Sequence, residues 1–195
     1  MRYIDMTYEE LLHELTKKDK KIKKLCRQIR RLELKASIDS MTGVLNRGFG
    51  LKKLKEAMKY STLNRHNLVI CFIDIDKLKN INDTFGHSEG DRLLKKVTEV
   101  IKECIRDYDF IFRVGGDEFI LVFNNAKKYE IKAITNDINK KLEYINKKEE
   151  FKYSISISMG FAKFDFNKNM TLENLIKEAD RQMYKNKINN WIREV

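Results

Sequence analysis

Four carboxylates stand where their chemistry needs explaining. Asp74 and Asp76 close a continuously apolar, β-branched run, Leu68–Ile73, and Asp117 and Glu118 follow paired glycines, Gly115 and Gly116. Desolvation makes an unpaired carboxylate expensive, so acids at the ends of buried strands call for a function. Asp74 and Asp76 are two residues apart and therefore share one face of a strand. Phe110–Val114 and Phe119–Phe123 flank Gly115-Gly116-Asp117-Glu118 as two arms of a β-hairpin, since glycine permits the positive φ of tight turns. If that hairpin pairs beside the first strand, three or four carboxylates converge near the strand's end. A hard cation with oxygen ligands makes such a cluster tolerable, and Mg²⁺ (or Mn²⁺) binding a nucleotide's phosphates is the economical choice. The other reading of the same residues is an ordinary polar hairpin turn.

The elements that must position these residues follow from periodicity. After a polar connection at Asp39–Arg47, a helix is expected over about 48–60, then the strand at Leu68–Ile73, which reads as buried on both faces. Lys77–Thr84 reads as helical, Phe85-Gly86-His87 as a turn, and a longer helix starts at about Glu89, with Leu93, Leu94, Val97, Val100, Ile101 and Cys104 on one side. Ile131, Ile134, Ile138, Leu142 and Ile145 mark another helix. Tyr153 to Phe161 alternates apolar residues with Ser154, Ser156 and Ser158, a half-buried strand, and Thr171 starts the last helix. The order β-α-α-β-β-α-β-α belongs to the α/β (α+β) class, with a mainly antiparallel central sheet flanked by helices.

A heptad seam precedes this unit. Tyr8, Leu15, Ile22, Ile29 and Ala36 fill one set of core positions, and Ile4, Leu11, Lys18, Leu25 and Leu32 the other. The pattern argues for a coiled coil over residues 1–38, ahead of a catalytic domain over 39–195. An amphipathic helix packed on its own domain is the alternative. The net charge of +11 raises a nucleic-acid partner, but +5 of it sits in residues 1–38 and the rest is spread thinly, as on a solvated surface. Nucleic acid is therefore not expected. No apolar run approaches a membrane span and no signal-peptide pattern opens the chain, so a cytoplasmic location is expected. Cys26, Cys71 and Cys104 lack metal-ligand spacing and read as reduced thiols, with Cys71 and Cys104 in the core.

Four blocks in order carry a family resemblance. RVGGDEF at 113–119 resembles the signature of the GGDEF family of diguanylate cyclases, and FIDIDKLKNINDTFGHSEGD at 72–91 its upstream signature. Asp39–Arg47 resembles its opening motif and Ala179–Tyr184 its last helix, so the match covers about 39–191. The resemblance implies a nucleotidyl-cyclase-like palm that condenses two GTP into cyclic di-GMP, each domain of a homodimer holding one GTP. By resemblance, Asp74, the Ile75 carbonyl and Asp117 hold the metals, with Glu118 close by. Asp117 also acts as base for the 3′-hydroxyl, and Lys79 stabilises the transition state. Without the motif, Lys79 would read as an exposed helix lysine. Asn82 and Asp91 match the guanine-reading positions, His87 a nearby substrate position, and Gly115 and Gly116 admit the nucleotide. A local rival exists for Asp91, whose spacing from Ser88 suits a capping box. Lys187 matches a phosphate-binding lysine. Arg106 and Asp109 fit the RxxD site where product, cyclic di-GMP, inhibits the enzyme.

One departure from the family pattern stands out. Asn190 and Trp191 occupy positions that usually carry Gly and a phosphate-binding Arg, so weaker GTP binding is expected, unless Arg193 substitutes. A weakly active or inactive domain serving as a GTP or cyclic di-GMP receptor is the second functional reading. A basic coiled-coil adaptor is the third, and it leaves the acidic motif unexplained.

Overall fold

The apolar run at Leu68 opens the central strand of a four-stranded sheet. The computed structural model describes residues 6–193, apart from the side chains of Arg30, Arg31, Leu34, Lys35 and residues 189–193. Its contacts divide the chain into two units, Met1–Ile38 and Asp39–Val195.

The first unit is one long helix, α1 (Tyr8–Lys35). Thr7 and Glu10 close its start reciprocally: Glu10 accepts from the Thr7 backbone N–H at 2.8 Å, and Thr7 Oγ1 accepts from the Glu10 N–H at 3.3 Å. The seam residues Tyr8, Leu15, Ile22, Leu25, Ile29 and Leu32 are all exposed. Ile4, the first seam residue, lies outside the described residues. No helix among the described residues is long and apolar enough to cross a membrane.

The second unit runs α2 (Arg47–Asn64), β1 (Leu68–Ile75), α3 (Leu78–Phe85), α4 (His87–Cys104), β2 (Phe110–Gly115), β3 (Glu118–Asn124), α5 (Lys128–Lys147), β4 (Ile157–Lys163) and α6 (Leu172–Arg193). From β1 onward this is the expected order. The sheet order is β2-β3-β1-β4, and every pairing is antiparallel. The period of two sorts the sheet's side chains. Cys71, Ile73, Ile75, Phe119, Leu121 and Phe123 pack with α3, α4 and α5. Ile70, Phe72, Ile120 and Val122 pack with α2 and α6. By the same parity Asp74 and Glu118, directly opposite one another in the β1–β3 register, fall on the α6 side.

Gly160 lets α6 lie directly on β4. A Cβ there would run into the backbone of Met183 and Ala179 on α6. Asn186, also on α6, donates from Nδ2 to the Met159 carbonyl at 2.8 Å and fixes the helix along the strand. This close approach brings the C-terminal half of α6 to the end of β1.

Two boundaries near the site and one burial differ from expectation. First, α4 begins at His87 instead of Glu89, because Gly86 (φ 87°) joins α3 to α4 with no residue to spare. Ser88 and Asp91 thus both lie inside the helix, and the capping-box reading of Asp91 falls away. Second, the alternating stretch from Tyr153 enters the sheet only at Ile157, whose partner Ile75 is the last residue of β1. Before that point the Asn146 side chain takes the place of a strand, accepting from the Ile155 N–H at 2.8 Å and donating to its carbonyl at 2.9 Å. Third, Cys71 is fully buried as expected, but Cys104 is only half-buried. All three cysteines are free thiols.

Candidate active site

β1 carries Asp74 inside the strand, between Glu118 on β3 and Ser158 on β4. Its carboxylate is buried, and Lys187 reaches it from α6, donating from Nζ to Oδ1 at 2.6 Å. Burial raises the pKa of Asp74, the Lys187 ammonium opposes that, and Asp117 and Asp76 add to the rise. At Lys187 burial acts to lower the pKa, but Asp74, Asp76 and Asp117 together outweigh it and hold the amine protonated. Three carboxylates act on Lys187 together, and it stays an ammonium.

Asp76, which shares a strand face with Asp74, has a different role. The Ser156 and Ser158 hydroxyls each donate to it at 2.8 Å, tying the exit of β1 to β4. Asp117 follows Gly116 in the hairpin turn, and its carbonyl accepts from the Ile75 N–H at 3.1 Å. Gly116 adopts φ 47°, the left-handed conformation that glycine takes without penalty. Around both Gly115 and Gly116 the space is open, so a ligand can approach this backbone. Arg113 sets the turn: Nε and Nη2 donate to the Gly116 carbonyl at 3.0 and 2.6 Å, and Nη1 to Asp39 at 3.3 Å. Burial would raise the pKa of Asp39, but bonds from Thr42 and the Arg113 charge lower it overall. Glu118 is raised, by burial first and then by Asp117, Asp180 and Asp74.

The carboxylates feel one another without closing into a ligand shell. Asp74, Asp76, Asp117 and Glu118 do converge near the end of β1, where each of Asp74 and Glu118 feels the charge of its neighbours, although among the described residues no three His, Cys, Asp or Glu side chains form a ready-made metal-ligating group. Asp76 is committed to its serines and Asp74 to an ammonium, and the remaining like charges repel. The donor set still suits a hard cation: Asp74, Asp117 and the Ile75 carbonyl offer oxygen alone, and Asp74 already takes a positive partner.

A second group lies on α3 and α4. Asn82 Oδ1 is buried, and among the described residues no group donates to it. Its position depends on Gly90, where a Cβ would collide with that oxygen. Asp91 follows Gly90 and is exposed, as are His87 at the start of α4 and Lys79 on α3. Arg106 and Asp109 form a third, separate group in the loop before β2. Arg106 donates from Nε and Nη2 to Asp109 at 2.8 and 3.0 Å, and Asp109 is buried. Lys187 is described, whereas the side chains of Asn190, Trp191 and Arg193 lie outside the described residues.

Sequence reasoning missed Gly90, Gly160, the Arg113–Asp39 tie and the serine clasp on Asp76. Only Gly90 left a local signal, as a glycine within a helical pattern.

A family model described as "Diguanylate cyclase, GGDEF domain" matches residues 36–191. The diguanylate cyclase DosC of Escherichia coli K12 is 31% identical over 176 residues, covering 87% of this chain and 38% of DosC. The cyclic di-GMP phosphodiesterase PdeB of Shewanella oneidensis is 29% identical over 180 residues, covering 90% of this chain and 18% of PdeB. The chain therefore spans well under half the length of these curated relatives. Among solved structures, the coiled coil and GGDEF domain of DgcB from Caulobacter crescentus, in complex with c-di-GMP, shares the fold with a TM-score of 0.74. That likeness covers 92% of this chain and 95% of the other at 21% identity.

The raised pKa of Glu118 has a measurable consequence. A carboxyl whose pKa is higher folded than unfolded costs stability as pH rises from the unfolded value through the folded one, and the cost persists above it. Glu118→Gln is therefore expected to unfold at a higher temperature than wild type at about pH 7 without metal or nucleotide, the gap closing below about pH 4. Thermal denaturation across that range checks it; a Tm no higher than wild type at neutral pH contradicts the assignment.

Proposed function

Because this chain belongs to the diguanylate cyclase GGDEF-domain family, we propose that it condenses two GTP into cyclic di-GMP with release of pyrophosphate. The observation that carries this reading is the buried Asp74 carboxylate paired with Lys187, beside the open Gly115-Gly116 turn and Asp117. In each of two equivalent steps a ribose 3′-oxygen bonds to the α-phosphorus of the other nucleotide. The bond from that phosphorus to the bridging oxygen breaks, and pyrophosphate leaves. Asp117 takes the hydroxyl proton, while the ammonium groups of Lys79 and Lys187 offset charge on the phosphates. Glu118 adds negative charge beside Asp117 and keeps a cation favoured there. Asp74, the Ile75 carbonyl and Asp117 would hold Mg²⁺ (or Mn²⁺), which would supply positive charge at the attacking hydroxyl and at the phosphate. When GTP carries its own charge compensation into the site, Lys187 is free to turn from Asp74 to phosphate.

Guanine selection falls to Asn82 and Asp91, with His87 close by. The buried Asn82 acceptor suits the N–H groups of guanine, and the Asp91 carboxylate suits N1–H and N2–H, which adenine cannot match. Two nucleotides need two domains. The exposed seam of α1 is the surface on which a second copy would pair to make the homodimer, and a cytoplasmic setting follows from the substrate.

The second reading, a receptor for GTP or cyclic di-GMP with little turnover, draws on Trp191 in place of a phosphate-binding Arg and on the phosphodiesterase PdeB, which carries a similar segment. Chromatography of purified, product-stripped protein incubated with GTP and Mg²⁺ separates the two. Cyclic di-GMP and pyrophosphate are expected, with Asp117→Ala slower by at least about a hundredfold. Tight nucleotide binding without turnover selects the receptor.

Gly90→Ala tests the guanine site apart from the chemistry. It is expected to weaken GTP binding by about tenfold or more, by displacing Asn82. Thermal stability should hold or rise, since Ala is favoured over Gly in a helix by roughly 1 kcal/mol. Calorimetric GTP titration beside thermal denaturation reads both, and unchanged affinity would remove Asn82 from base recognition.

A further inference from the structure

The guanidinium of Arg106 has one edge spent inside the fold. Nε and Nη2 grip the two oxygens of Asp109, and Nη2 also reaches the Asn124 carbonyl at 3.3 Å. Asp109 cannot turn away to release it, because its wholly buried carboxylate also accepts from the Asn124 N–H at 3.0 Å and so ties the start of β2 to the end of β3. The Tyr108 ring lies under the guanidinium at 4.6 Å. The Nε and Nη2 side of Arg106 is therefore closed to a phosphate, and the N–H group left for a ligand is Nη1.

Glu130 takes Nη1. Its Oε1 accepts from Arg106 at 2.9 Å, across 24 residues of chain. Its other oxygen accepts from the Lys127 backbone N–H at 2.7 Å, at the start of α5, so the helix holds Glu130 in place whether or not Arg106 is bound. A ligand anion and this carboxylate cannot share one N–H edge, and their charges repel at that distance.

We propose that Glu130 is an intramolecular competitor for Arg106, so that cyclic di-GMP binds at Arg106 only by displacing the Glu130 carboxylate and inhibits at higher concentration than it otherwise would. This rests on the reading of Arg106 as a product site and adds the element that sets its threshold. The product's apparent affinity is its intrinsic affinity scaled by the fraction of molecules in which Glu130 has let go. Arg106 is thus neither idle nor permanently committed: Asp109 fixes where it points, and Glu130 decides how easily it is reached.

Glu130→Gln isolates the effect, since the amide oxygen can still accept from Lys127 while the charge is gone. Calorimetry of cyclic di-GMP binding to the full chain, stripped of product, is expected to show Glu130→Gln binding about three- to tenfold tighter than wild type. Arg106→Ala should lose that binding, and the double variant should match Arg106→Ala. If Arg106→Ala binds like wild type, the product does not use Arg106 and the underlying reading fails. If Arg106→Ala loses binding while Glu130→Gln gains none, the site stands and the competitor proposal is wrong.

Discussion

A carboxylate buried in the central strand governs the rest of this domain. Asp74 sits between two strands, away from water, where an unpaired negative charge is costly. The fold answers with Lys187, delivered 113 residues later by α6. That delivery explains features that otherwise look unrelated. Gly160 has no side chain because α6 must press onto β4 to bring Lys187 to the end of β1. Ser156 and Ser158 satisfy Asp76 so that the neighbouring acid does not compete for the same ammonium. Arg113 pulls the Gly116 carbonyl toward Asp39 and so holds the hairpin turn beside this charge. The site is a set of like charges kept apart by individual partners, each of which is weaker than a divalent cation.

The same logic separates three regions of the domain by what each polar group lacks. At Asp74 the charge is paired but its partner is a flexible lysine, so an exchange of cations is cheap. At Asn82 a buried oxygen has no donor among the described residues, so it stands as an acceptor open to a donor from outside the chain. At Asp109 both carboxylate oxygens already accept within the chain, from Arg106 and from the Asn124 N–H, so that acid joins the start of β2 to the end of β3.

Local pattern made much of this legible. The apolar run at Leu68, the glycine-punctuated hairpin and the helical repeats give element types and order, because those depend on neighbours in sequence. The antiparallel arrangement follows from the hairpin and the order. What stayed hidden depends on distant pairs. Nothing near Lys187 announces that it meets Asp74, and nothing near Gly160 announces a helix on top of it. Arg113 gives no local sign that it bridges to Asp39. The stretch at Tyr153–Ile155 alternates like a strand, yet β1 ends before it could pair, and the Asn146 amide fills in at Ile155. The four acids could be grouped from sequence, but that Asp74 meets Lys187 while Asp76 meets Ser156 and Ser158 depends on α6 and β4, far along the chain. Family resemblance assigned roles to Lys79, His87 and Asp91, which stand exposed and whose places in the chemistry depend on a bound nucleotide.

The proposed function makes Asp74, Asp117 and Lys187 a charge arrangement for a cation-bound guanine nucleotide. Calorimetric titration with GTP and with ATP, each with and without Mg²⁺, tests it most directly. GTP binding is expected to require Mg²⁺, with ATP at least about tenfold weaker because the Asn82 and Asp91 acceptors go unmatched. Equal affinity for ATP, or GTP binding that ignores the metal, would contradict it.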